Sequence, residues 1–123
     1  MRQQIAIDPK KEYLHVEVSG AFDKANAREF LRQIFGATRE HALSKVFVDI
    51  RNINGPIPTM ARFELAEFLA SEKDVQIRFA VLESPGQVPD DKFFETVAAN
   101  RGGIVKVVTD VDEAFQWLGI RPS

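Results

Sequence analysis

Hydrophobic and polar positions alternate with period two in two stretches near the start of the chain, residues 4–7 and 13–19. In the second, Leu14, Val16 and Val18 alternate with Tyr13, His15, Glu17 and Ser19, as in a strand with one buried side. Asp8-Pro9-Lys10-Lys11 has the length and composition of a hairpin turn, and Gly20 is expected to end the second strand. The same alternation returns in residues 45–51, with Val46, Val48 and Ile50 on one side. It returns again in 76–82, with Ile77, Phe79 and Val81 on one side, and residues 104–108 make a last short strand.

Between these stretches the period changes to that of a helix. Asp23 can cap a helix running to about His41, with Ala27, Phe30, Leu31, Ile34 and Thr38 on its inner stripe. Lys24, Arg28 and Arg32 form a second stripe at i,i+4 spacing, which reads as a solvated face. Asn54-Gly55-Pro56-Ile57-Pro58 is a turn leading into a helix over 59–73, whose core stripe is Ala61, Leu65, Phe68 and Leu69. A third helix is expected over 90–101, with acidic residues in its first turn and Gly102-Gly103 as its stop. Asp110 and Glu113 have capping-box spacing ahead of a final helix to Leu118, which Gly119 can close.

The order is ββαβαβαβα, which predicts one α/β domain with a mixed, mostly parallel sheet. Right-handed crossovers put successive helices mainly on one face when strands are added in order. The other face, expected to be uncovered, would carry Tyr13, His15, Glu17, Lys45, Phe47, Asp49, Arg78 and Lys106. Tyr13, Phe47 and Ala80 would then be apolar and exposed, and a homodimer through that face is the expected consequence.

Composition narrows the function by exclusion. The chain has 123 residues, 45% hydrophobic and 28% charged, with 16 basic and 18 acidic residues and a net charge of −2. That balance gives no bulk field for nucleic acid or anionic lipid, and no apolar run has membrane-spanning length. Met1-Arg2-Gln3-Gln4 lacks the apolar stretch of a signal peptide, so a cytoplasmic protein is expected. There is no Cys and there are two His, which excludes thiolate chemistry and Cys- or His-rich metal sites. No cofactor-binding or nucleophile motif is present, so neither a cofactor nor an enzymatic activity is expected. His15 and Glu17 share a strand side and read as surface neighbours. His41 sits where a helix dipole favours a cation.

The candidate site is the rim at the strand C-termini, where open α/β sheets collect ligands. It would gather Arg51, Asn52, Asn54, Gly55 and Thr59, with Glu83, Ser84, Thr109 and Asp110 beside them. An anion beside Arg51 at the start of the second helix is one reading; a tight turn and a plain helix start is the other. Arg62 falls inside the apolar stripe of that helix and needs an anionic partner. Asp49, Glu83 or Asp110 can supply it, or a small anionic ligand can. Phe63 falls on the opposite flank near Met60, as a partner surface or as packing against residues 84–90. Asn100 and Arg101 read as structural ties at a helix end.

Several of these segments resemble one known group. Phe47-Val-Asp-Ile-Arg-Asn-Ile-Asn-Gly55 resembles the strand-to-turn segment of STAS domains, the anti-sigma-factor-antagonist family. Asp49-Ile-Arg51, Ala61-Arg-Phe-Glu-Leu-Ala-Glu67 and Phe93-Phe-Glu-Thr-Val-Ala-Ala-Asn-Arg-Gly102 are closer still to uncharacterised bacterial STAS-like proteins with a SpoIIAA-like fold. The resemblance implies a non-catalytic cytoplasmic domain that binds a protein partner or a small ligand. STAS antagonists carry an Asp-Ser-Ser-Gly segment whose Ser is phosphorylated. Pro56-Ile57-Pro58-Thr59 stands there in this chain, and Thr59 alone keeps a hydroxyl.

Overall fold

The computed structural model describes residues 3–54, 60–61, 64, 68, 77–84 and 104–121. Two strands, β1 (Gln4–Pro9) and β2 (Leu14–Ala21), form an antiparallel hairpin. An ion pair of 2.8 Å between Lys10 and Asp8 and the Lys10 N–H donated to the Tyr13 carbonyl (2.8 Å) close its turn. Helix α1 (Lys24–His41) follows, then β3 (Lys45–Asn54), β4 (Arg78–Leu82), β5 (Ile104–Val108) and helix α2 (Val111–Leu118). The five strands lie side by side in chain order, and every pairing after the first is parallel. Met60, Ala61, Glu64 and Phe68 have helical backbone, inside the helix expected over 59–73. The helix expected over 90–101 lies outside the described residues.

Local chemistry accounts for the helix ends. The Asp23 carboxylate accepts the Asn26 N–H (3.0 Å), and the Asp23 N–H is donated to the Gln3 side-chain oxygen (2.6 Å), which ties the start of β1 to the start of α1. The Asp110 carboxylate caps α2 by accepting the Asp112 N–H (2.9 Å), and Gly119 ends it in the left-handed region at φ 69°. Helix α1 ends in the same region on Ala42 (φ 54°, ψ 43°), a position that favours glycine. Ala42→Gly is therefore expected to stabilise the fold by about 0.5–1 kcal/mol, after the extra entropy of the unfolded chain is deducted. A thermal melt should rise by roughly 2–4 °C. A fall would show that the cap is not left-handed.

The sheet has a core on each side. On one, Leu14, Val16, Val46, Val48, Ile50, Ile53 and Phe79 pack beneath Ile34 and Phe35 of α1, with Phe30, Leu31 and Phe68 partly buried against them. Phe35, absent from the expected inner stripe, meets Phe79 edge-on at 5.9 Å. The stripe of Lys24, Arg28 and Arg32 is more than a solvated face. Lys24 pairs with Glu64 at 2.7 Å, and both guanidinium groups lie over the Phe68 ring, at 5.3 and 5.5 Å.

On the other side the structure corrects an expectation. Tyr13, Phe47 and Ala80 are not uncovered. They are buried with Leu82 and Val108 beneath Ala114, Phe115 and Leu118 of α2. The handedness rule applies to a helix that joins two parallel strands, and among the described residues no strand follows α2. It is free to take the second face, and its apolar stripe turns that way. The exposed apolar surface behind the expected homodimer is thus internal.

Candidate functional site

Because β3, β4 and β5 are parallel, their C-termini come together at one end of the sheet. The strand β3 reaches that rim through an irregularity. Glu17 pairs with Asp49 and Ser19 with Asn52, so Ile50 and Arg51 together stand opposite Val18 alone. This is a β-bulge, and the extra residue shifts the alternation by one. Ile53 consequently turns into the α1-side core, while Arg51, Asn52 and Asn54 are exposed. Gly20, opposite Ile53, follows the twist with φ 94°, which is why the strand continues past the residue expected to end it.

Arg51 holds a carboxylate of its own chain. Its Nε donates to one Asp49 oxygen (3.0 Å) and its Nη2 to the other (2.8 Å), and its backbone N–H donates to the first (3.0 Å). The Asp49 side chain is 11% exposed and that of Arg51 47%. Burial raises the Asp49 pKa, but the hydrogen bonds from Arg51, its charge and that of His15 outweigh burial and hold the carboxyl below its ordinary value. The same contacts raise Arg51, to which Glu17 adds a further attraction. Among the described residues the charge of Arg51 is matched by Asp49 and faces Glu17 as well.

Beside this pair, His15 Nε2 is 3.3 Å from a Glu17 oxygen. The imidazole stands edge-on to Phe47 at 5.1 Å, so the two surface neighbours are anchored to the core beneath α2. His41 is exposed at the end of α1, 4.0 Å from Glu40.

Of the expected site residues, Arg51 and Asn54 are at the rim of β3, with Asn54 opposite Ala21. Thr59, Arg62 and Phe63 lie outside the described residues, as do Gly55, Asn100 and Arg101. Of the rim neighbours, Glu83 is buried at the end of β4 with its N–H donated to the Val108 carbonyl (2.9 Å). Thr109 and Asp110 are exposed, and Asp110 is engaged as the α2 cap. Two of the three carboxylates considered for Arg62 thus have other bonds, Asp49 to Arg51 and Asp110 to α2. The Asp49–Arg51 pair is the feature that sequence reasoning missed. Its signal was present, since residues i and i+2 of a strand point the same way.

Among the described residues, no group of His, Asp and Glu is placed to hold a metal ion. Nor is any helix among them long and apolar enough to cross a membrane.

No family model and no curated protein matches the sequence. Solved structures do match. An uncharacterised DUF3478-family protein with a SpoIIAA-like fold from Shewanella loihica is similar over 96% of both chains, at 20% identity and a TM-score of 0.60. An anti-sigma factor antagonist from Mycobacterium paratuberculosis is similar over 96% of this chain and 95% of its own, at 14% identity and a TM-score of 0.63. The chain therefore has a SpoIIAA-like α/β fold.

Proposed function

We propose that this chain is a single-domain, non-enzymatic binding and regulatory module of the bacterial cytoplasm that works by contacting a protein partner. The observation that carries this reading is its likeness, over nearly the full length of both chains, to a protein named for antagonising an anti-sigma factor. The state of Arg51 supports it over the alternative of a small anionic-ligand carrier. The one described cation of the expected anion site is held in both directions by Asp49, with Glu17 nearby. A carrier for anions needs uncompensated positive charge at the rim. Arg62 and Phe63 are the residues proposed to meet the partner. The same reading includes a homodimer, whose contact has to lie away from Tyr13, Phe47 and Ala80, since α2 covers them.

The test is capture from the host cells with the wild-type chain, beside Arg62→Ala and Phe63→Ala. The expected result is one protein retained by the wild type, weakened by both variants, and rebuilt as a complex from purified components. A small anion released on denaturation, with no protein retained, would replace this reading with the carrier.

A further inference from the structure

Strand β1 is an outer strand, and among the described residues no strand pairs with its far side. Its hydrogen-bonding sense follows from the hairpin. The Lys10 N–H is donated to the Tyr13 carbonyl, and the register from there pairs Asp8 with His15, Ala6 with Glu17 and Gln4 with Ser19. Hydrogen-bonded and non-bonded positions alternate in an antiparallel ladder. Residues 4, 6 and 8 therefore bond inward to β2, while Ile5, Ile7 and Pro9 direct their backbone groups outward. Pro9 agrees with this, because its missing N–H then falls on the outer side.

Among the described residues no strand covers this outer side, over a length that matters. Ile5 and Ile7 are half-buried at the margin of the α1-side core, Gln4 and Ala6 are exposed between them, and residues 4–7 carry no charge. Charges, bulges or a covering element usually block such an edge. Within β1 the first charge is Asp8, and it is tied to Lys10.

We propose that β1 pairs antiparallel with β1 of a second copy, so that one sheet runs through both subunits about a twofold axis at Ala6. The proposal rests on the homodimer of the functional reading and gives it a contact. The sequence of the strand is complementary to itself in this register. Ile5 stands opposite Ile7 of the partner subunit, with both outward N–H groups donated and both carbonyls accepting. Gln4 stands opposite Asp8 of the partner subunit, an amide donor against a carboxylate, and the two Asp8 groups stay apart. Centring the axis on Ile7 instead places Ile5 opposite Pro9 of the partner subunit, which brings the missing donor inside the strand, whereas the axis at Ala6 leaves it opposite Gln3 of the partner subunit, beyond the strand. A slip of one residue puts the isoleucines on the wrong face.

The absence of native cysteine makes the register directly testable. Non-bonded antiparallel positions are about 4.5 Å apart at Cα, within the roughly 4.4–6.8 Å that a disulfide spans. Light scattering of the wild type should give twice the mass of one chain. Oxidised Ala6→Cys should form a covalent dimer that reductant reverses. Gln4→Cys alone and Asp8→Cys alone should not, whereas their equimolar mixture should cross-link. Ile7→Pro removes an outward donor as Pro9 already does, and should weaken the dimer about tenfold or more. Its circular dichroism checks that it folds, and if it does not, the cysteine pattern decides. A wild-type dimer with no Ala6→Cys cross-link overturns this contact and leaves the homodimer standing. A monomer at every concentration overturns both.

Discussion

Phe115→Ala is expected to lower the unfolding free energy by about 3–5 kcal/mol, a large part of the roughly 5–15 kcal/mol that holds a domain together. Phe115 is the side chain through which α2 grips the sheet. Its ring meets Tyr13 edge-on at 5.3 Å and stacks on Phe47 at 5.0 Å, and both of these are buried. Tyr13 is tied to Lys10 at the start of β2 and Phe47 is paired on both sides within β3, so the void left by the ring cannot be closed by moving them. That is the condition under which the cost of a cavity is highest. A urea titration checks it: the midpoint should fall with the slope unchanged. Gln116→Ala, on the exposed side of the same helix, should stay within about 0.5 kcal/mol of the wild type. A similarly small effect at Phe115 would mean that α2 does not cover this face.

Asp49→Asn is the second large effect, about 1–3 kcal/mol near neutral pH, because three hydrogen bonds to a charged acceptor are lost or weakened. It also has a signature in pH. The folded-state pKa of Asp49 lies below its unfolded value, so its contribution is complete above the unfolded pKa of about 3.9. The contribution disappears as pH falls through the lower, folded value. Wild-type stability should therefore drop on acidification below about pH 5 more steeply than that of Asp49→Asn. Parallel acid limbs for the two proteins would show that the carboxylate is not held by Arg51 in solution.

Much of the fold was legible because period and punctuation agreed. The α1 limits, the Asp110 cap and the Gly119 stop are local chemistry, and local chemistry is what a sequence states. The face taken by α2 was not legible, since alternation in β2 and β3 marks one side as more polar without saying what lies over its aromatics. Tyr13 and Phe47 sit on that side among His15, Glu17 and Asp49, and only the long-range return of α2 distinguishes buried from exposed there. At the candidate site, the rim followed from strand direction, and the Asp49–Arg51 pair was readable from i,i+2 spacing on one strand. The bulge at Ile50–Arg51 was not, because it exists only as a mismatch between two strands. It decides that Ile53 points inward and leaves Arg51 and both asparagines outside.

Side-by-side strands in chain order have a consequence for synthesis. Each described strand after β1 finds its neighbour already made as it leaves the ribosome, and none has to be inserted between two that are paired. The helix that seals the second face comes after all the described strands. Until residues 111–118 have emerged, Phe47, Ala80, Leu82 and Val108 lie on a formed sheet without the helix that buries them. A nascent chain stalled before that point presents a sticky apolar plane, and its release into water depends on residues 111–118 to cover it.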